Sequence, residues 1–522
     1  MNTENCEQLI AQLIDLKIKT ADQLNKKKRA FCNAQKSGMP TNAELLGLYR
    51  KMIKLKQIAP NIEMEKMLQK RKIRTMSGVA PVAVLTKPFP CPGKCAFCPT
   101  EKQMPKSYLS NEPAVMRAIM LKFDPFKQVS ARIKALEANG HATDKIELIV
   151  MGGTWSYFPR QYQSWFIKRC FDACNGKTSK NISCAHELNE KAKHRIVALT
   201  LETRPDFCDE KEIQYWRKLG ATKVELGVQA IDDKILELNK RGHGVKEIIS
   251  ATKLFRQAGF KICYHIMPGL PGSTPAKDLK LFKQMFSDEN FQPDFIKIYP
   301  TVVTKGTAIY KSWKSGKYKP YSEKQLFNLL LKMKLATPDR VRIIRLIRDI
   351  PQESISAGNK ITNLRESLQK KLIEMKTPCQ CIRCREARED IKDLKQAKLF
   401  IEKFKANSAT EYFLQYASPD KRKLYAFLRL RLPEKNEQNF IPEINGCAMI
   451  REIHTYGKLV PLAGKQTGIQ HSGFGTKLTE KAEELARAAG FEKMAVISGV
   501  GVRGYYKKLG YGQEGTYMTK KL

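Results

Sequence analysis

The sequence predicts an α/β chain: a partial TIM-like barrel of six β/α repeats, followed by a smaller mixed-strand α/β domain and preceded by a basic helical segment. Three observations predict it. From about residue 81 to 350, short apolar runs alternate with amphipathic stretches, the rhythm of strands and crossover helices on a parallel sheet. From about 391 that rhythm gives way to strands joined by tight turns, and a glycine loop then opens an amphipathic helix. The length, 522 residues, exceeds what one core usually serves.

Composition narrows the partners. Lys plus Arg is 93 against 52 for Asp plus Glu, a net charge of +41, more than solubility requires and typical of chains that meet polyanions. Nucleic acid is the leading partner. No apolar run approaches a membrane span and the first residues do not resemble a signal peptide, so a cytoplasmic protein without membrane contact is expected. In that compartment the 14 cysteines argue against a disulfide framework, and six of them sit in two tight clusters with ligand spacing.

Residues 1–80 read as helical, with Leu9, Ile10, Leu13, Ile14 and Leu16 on one apolar face and Leu45, Leu46, Leu48, Met52 and Ile53 on another. Lys51, Lys54, Lys56, Lys66, Lys70, Arg71, Lys72 and Arg74 give this segment a basic end able to track phosphates, or simply a solvated helix face.

The barrel is assigned to 81–375, with strands expected at Ala80–Leu85, Ile146–Met151, Arg195–Thr200, Lys223–Gly227, Lys261–Ile266 and Phe295–Tyr299. Function on such a sheet collects at the C-terminal ends of the strands. After the first strand comes Cys91-Pro-Gly-Lys-Cys95-Ala-Phe-Cys98. Three thiolates at this C-x3-C-x2-C spacing can hold three irons of a [4Fe–4S] cluster and leave the fourth open, which is how radical enzymes chelate S-adenosylmethionine. Zinc would want a fourth ligand, and none lies nearby in the sequence. The other strand ends carry Gly152-Gly153-Thr154, then Glu202-Thr203-Arg204, Gln229, and Met267-Pro-Gly-Leu-Pro-Gly272, suited to the amino acid and nucleoside parts of such a ligand. Residues 311–350 hold eleven Lys or Arg, including Lys311, Lys314, Lys317, Lys319, Arg340, Arg342, Arg345 and Arg348, with Tyr310, Trp313 and Tyr318 between them, a mixture suited to single-stranded nucleic acid.

A linker at 376–390 carries Cys379, Cys381 and Cys384, read as three ligands of a structural zinc whose fourth ligand is not visible. In the last domain, 391–522, strands are expected at Glu411–Tyr416, Lys423–Leu430 and Ala448–Tyr456. The Q-x-x-G-x-G loop Gln470 to Gly475 with Thr476 then enters a helix whose N–H groups and dipole can cradle a pyrophosphate. A strand at Lys493–Ser498 and the segment Val502 to Tyr511, containing Tyr505-Tyr506, complete the pattern of an acetyltransferase of the GNAT kind.

A radical S-adenosylmethionine barrel joined to a GNAT domain in one basic chain resembles the catalytic subunit of Elongator, in its stand-alone bacterial and archaeal form. Ser77-Gly-Val-Ala80, the cluster loop, Ser107-Tyr108, Glu112-Pro113, Asp124-Pro-Phe126, Asp144-Lys145, Met151 to Thr154, Ile298 to Thr301 and Tyr505-Tyr506 carry the resemblance, and the short first cysteine spacing with a complete second cluster points to the stand-alone type. It implies a tRNA-modifying acyltransferase that forms 5-carboxymethyluridine at wobble position 34 from acetyl-CoA by radical chemistry. By the same resemblance Cys91, Cys95 and Cys98 bind the cluster. Lys145, Glu452, Ile453, His454, Thr455, Phe474, Gly475, Thr476 and Tyr506 contact acetyl-CoA, to which the reading of the glycine loop adds Gln470 and Gly473, with Tyr505, Tyr506 and Lys145 as the catalytic candidates. The implied partners are a tRNA anticodon stem-loop and an electron donor for the cluster, in a monomer or homodimer rather than a large assembly. The rival reading is a protein lysine acetyltransferase with a regulatory iron-sulfur barrel, which the +41 charge disfavours because histone-like tails are themselves basic.

Overall fold

The computed structural model describes residues 1–16, 18, 20–69, 78–361, 363–387, 394–456 and 473–522. Four helices, Thr3–Asp15, Ala21–Ala34, Asn42–Lys54 and Ile62–Leu68, begin the chain. Their starts are set by side-chain caps from Asn2, Thr20, Thr41 and Asn61, the two threonines in full capping boxes. They bury a core of their own around Leu9, Ile10, Leu13, Leu45, Leu46 and Tyr49. Of the expected apolar face only Leu16, at 49% exposed, points outward.

The barrel strands are β1 (Ala80–Leu85), β2 (Lys145–Met151), β3 (Arg195–Thr203), β4 (Lys223–Gln229), β5 (Lys261–Ile266) and β6 (Phe295–Ile298). A two-residue β7 (Val303–Thr304) pairs outside the sheet with β9 (Ile355–Ala357), and β8 (Arg342–Arg345) lies between them in sequence. The main sheet is wholly parallel in the order β1-β2-β3-β4-β5-β6-β8, with no bond from β8 back to β1, so it is an open partial barrel. It has seven strands where the sequence predicts six. The extra one, Arg342-Ile-Ile-Arg345, reads as part of a basic run because only two of its four residues are apolar.

The second sheet comprises β10 (Lys398–Lys405), β11 (Ala409–Ala417), β12 (Leu424–Pro433), β13 (Ala448–Thr455), β14 (Lys493–Val496), β15 (Gly512–Glu514) and β16 (Tyr517–Lys521). Its order is β10-β11-β12-β13-β14-β16-β15, and within it β13 and β14 are the parallel pair. The helix Phe474–Ala488 packs on it through Leu478, Ala482 and Ala486. No helix among the described residues is long and apolar enough to cross a membrane.

This second sheet docks on the N-terminal ends of the barrel strands. Gly499 approaches the backbone of Val197 in β3 so closely that a Cβ would collide with it. Tyr517 donates to the Ala258 carbonyl at 2.8 Å, just before β5. Arg451 of β13 reaches Asp294, just before β6, at 2.5 and 3.1 Å, and Glu411 at 3.1 Å, while Arg256 also pairs with Glu411 at 3.2 Å. Arg451 and Arg256 are fully buried, and geometry that supplies each charge with several partners is what lets such a cluster exist without water.

Candidate active site

Cys91, Cys95 and Cys98 stand at the C-terminal rim of the barrel, where the loop after β1 is held from both sides. The Ala96 N–H donates to the Asn239 carbonyl at 3.0 Å, and the Ala96 carbonyl accepts from Ile309 N–H at 3.0 Å. Gly93 lies so close to the Arg204 guanidinium that any Cβ there would collide with it. Arg241 Nη1 donates to Cys95 Sγ at 3.0 Å, Arg204 Nη1 lies 3.9 Å from the same sulfur, and Thr154 Oγ1 is 3.6 Å from Cys91 Sγ. The three sulfurs do not all lie within 4.8 Å of one another, a wider spacing than that of the three sulfurs at Cys379, Cys381 and Cys384.

Below them the barrel lumen is lined by Gly153, Thr154, Glu202 and Gln229. Gln229 Oε1 is buried without a hydrogen-bond partner among the described residues, as befits a group awaiting a ligand. Gly152, at φ 134°, holds a backbone conformation that favours glycine, and a Cβ there would collide with the Thr86 side chain. Glu202 accepts from Tyr108 Oη at 3.2 Å and lies 3.6 Å from Lys297 Nζ. Burial pushes its carboxyl up to about 7, with Glu225 adding repulsion and Lys297 opposing. Glu225 is buried too, yet Lys297 and His265 hold it well below the usual carboxylate range. His265 Nε2 sits 3.0 Å from Glu225, and burial, together with the Lys297 charge, pulls the imidazole down to about 4, so it is neutral at pH 7.

At the other end of the lumen, Lys145 opens β2 and faces the second domain. There Glu452, Ile453, His454 and Thr455 line the same cavity, as do Gly473, Gly475, Thr476, Tyr505 and Tyr506. Gly473 caps the helix Phe474–Ala488 at φ 74°, and among the described residues no side chain caps its first N–H groups. A Cβ on Gly475 would meet Tyr505 Oη at 2.7 Å. Phe474 is buried and stacked on Tyr416 at 4.5 Å, so it anchors the helix and offers only its backbone to a ligand. Tyr506 is buried and Tyr505 exposed at 37%, their rings 5.2 Å apart, and burial raises both phenols so that they stay protonated donors. Gln470 lies outside the described residues. One cavity of about 1450 Å³ thus runs from the three cysteines to the tyrosine pair.

Residues 90–284 match the Radical SAM superfamily and 293–374 the Radical_SAM C-terminal domain. The chain is 46% identical over 501 residues to a tRNA uridine(34) acetyltransferase of Methanocaldococcus jannaschii, covering 93% of this chain and 91% of that one. It belongs to the Elongator complex protein 3 family. The human Elongator complex protein 3 is 38% identical over 87% of this chain and 86% of its own. The solved archaeal Elp3 of Methanocaldococcus infernus, with residues 1–46 deleted, superposes with a TM-score of 0.75 at 42% identity, over 85% of this chain and 99% of that one.

In this Elongator-family chain the cavity is also lined by Lys223, Glu225, Arg241, His265 and Lys297, which the sequence does not single out as site residues. Most are inward-facing strand positions, and the readable signal is charge at alternate residues of apolar strands, as in Lys145-Ile-Glu147 and Lys223-Val-Glu225. The basic run at 311–350 divides. Lys311, Lys314, Lys317 and Lys319 are exposed. The arginines serve the fold: Arg340 pairs with Glu402, Arg342 with Glu386 at 2.7 Å, Arg345 with Asp349 at 3.0 Å, and Arg348 with Glu112 at 2.9 Å. Lys70, Arg71, Lys72 and Arg74 lie outside the described residues. The sulfurs of Cys379, Cys381 and Cys384 lie within 4.8 Å of one another, a single-ion spacing, with Lys334 Nζ 3.6 Å from Cys384 and no fourth ligand among the described residues.

Proposed function

We propose that this chain modifies uridine 34 of tRNA, joining radical and acetyl-CoA chemistry in one cavity to form 5-carboxymethyluridine. The observation that carries the reading is the continuity of that cavity, which gives the thiol-lined rim and the GNAT groove a shared interior. Identity of 44–46% to proteins named tRNA uridine(34) acetyltransferase supports it, and so does the charge of +41. Cys91, Cys95 and Cys98 would hold a [4Fe–4S] cluster, while Gly153, Thr154, Glu202 and Gln229 would hold S-adenosylmethionine. Bound there, the pair supplies the one-electron chemistry needed to take hydrogen from an unactivated methyl group. Arg204 and Arg241 would offset the charge of the sulfurs.

In the second domain the helix N-terminus at Gly473 to Thr476 would bind the pyrophosphate of acetyl-CoA, and Glu452 to Thr455 its arm. Tyr505 or Tyr506 would donate to the thiolate that leaves when the thioester is hydrolysed. Cys379, Cys381 and Cys384 would hold a structural zinc. The anticodon stem-loop would meet the exposed lysines of 311–319, and a separate donor would reduce the cluster, in a cytoplasmic monomer or homodimer. Nucleoside analysis of tRNA after anaerobic incubation with S-adenosylmethionine, acetyl-CoA and reductant should find carboxymethyluridine at position 34. Acetyl-lysine on protein with unmodified tRNA would replace this reading by the acetyltransferase one.

A further inference from the structure

Five of the six barrel strands after β1 open with a cation: Lys145, Arg195, Lys223, Lys261 and Arg342, with Phe295 the exception. The second domain docks on this end, so the cations stand at the junction. Most are committed within the fold. Lys223 pairs with Glu147 at 3.1 Å, Arg342 with Glu386 at 2.7 Å, and Arg195 Nε donates to the Ala192 carbonyl at 3.2 Å. Lys261, beside Lys223 in the sheet register and partly buried, lines the cavity and makes no ion pair among the described residues.

The opposite wall shows what meets it. Pairing between β13 and β14 ends at Ile450 and Val496, and the β12–β13 register is broken beside Arg429 and Leu430. Beyond that point Glu452, Ile453, Ile497 and Gly499 line the junction, a gap in the sheet facing the barrel floor. An arm whose phosphates sit at Gly473 to Thr476 and which runs along Thr455 toward Glu452 brings its far end into this gap.

Resting on the acetyl-CoA reading above, we propose that Lys261 is the barrel's contact with the acyl end of the thioester. Its ammonium donates a hydrogen bond to the carbonyl oxygen of acetyl-CoA and, once hydrolysis has released the thiol, to the carboxylate that remains. Glu452, Lys223, Glu147 and Arg217 are the charged groups that face it, and burial pushes its amine down from 10.5 to about 8.

The test is calorimetric binding of acetyl-CoA and of CoA to the full-length protein, its cluster reconstituted anaerobically, as wild type, Lys261→Met and Lys261→Arg. Lys261→Met should weaken acetyl-CoA about tenfold, as for loss of one charge-assisted hydrogen bond, and leave CoA unchanged. Its thermal midpoint should not fall, because the charge removed has no ion-pair partner. Wild type should lose its preference for acetyl-CoA as pH rises above about 8, and Lys261→Arg should keep it. No loss of acetyl-CoA affinity in Lys261→Met, or an equal loss for both ligands, overturns the acyl contact. Wild-type protein that binds neither ligand overturns the acetyl-CoA reading itself, and the proposal with it.

Discussion

Cys95 takes both arginine contacts at the cluster loop, from Arg241 at 3.0 Å and Arg204 at 3.9 Å. Cys95→Ala should abolish iron-sulfur absorbance and S-adenosylmethionine cleavage while tRNA binding, read by filter retention, stays near wild type. Continued production of 5′-deoxyadenosine would remove Cys95 from the site. Gly475 is bounded differently, by the Tyr505 hydroxyl 2.7 Å from where a Cβ would stand. Gly475→Glu must displace that hydroxyl and sets a carboxylate against the proposed pyrophosphate, so acetyl-CoA affinity should fall tenfold or more in a titration, with the cluster retained. Undiminished affinity would place the phosphates elsewhere. These residues were legible in the sequence because their chemistry lies in local spacing. Glu225, His265 and Lys297 were not, because they come from three strands and meet only once the sheet curls. Gly152 is legible only in part: the sequence marks a residue without bulk but not that the Thr86 side chain takes the room.

Elements were read best where a period and a boundary signal agreed. Strands β1, β2 and β5 fall within a residue of expectation, whereas β3 runs on from Thr200 to Thr203, carrying Glu202 within the strand itself. Strand β8 was missed because two of its four residues are arginines that read as part of a basic run; Arg342 is tied to Glu386 of a neighbouring element, while Arg345 stays exposed beside Asp349. The exposed half of that run begins on the helix Ala308–Lys314, where Tyr310 and Trp313 stand 5.7 Å apart beside Lys311 and Lys314. Reversing Lys311, Lys314 and Lys317 to Glu should weaken tRNA binding across sequences and flatten its dependence on salt, measured between about 50 and 200 mM. Unchanged affinity at low salt would make these lysines a solvated face.

At the scale of the whole molecule, the decisive feature is the docking of the second sheet on the barrel floor, which no local pattern announces. It is fixed by Arg451, Asp294, Glu411 and Arg256, residues separated by up to 195 positions in sequence and joined in one buried ion cluster. Removing one partner of such a cluster leaves an uncompensated charge, a cost of about 3–5 kcal/mol, so the two domains are held in one arrangement rather than tethered loosely. That arrangement makes the two sites share an interior, and the central claim is that they act on one molecule of acetyl-CoA. Methyl-deuterated acetyl-CoA, incubated anaerobically with the full-length enzyme, S-adenosylmethionine, reductant and tRNA, tests it directly by mass spectrometry of the 5′-deoxyadenosine formed. The account predicts deuterium in that product in proportion to carboxymethyluridine, and modified tRNA accompanied by unlabelled 5′-deoxyadenosine would contradict it.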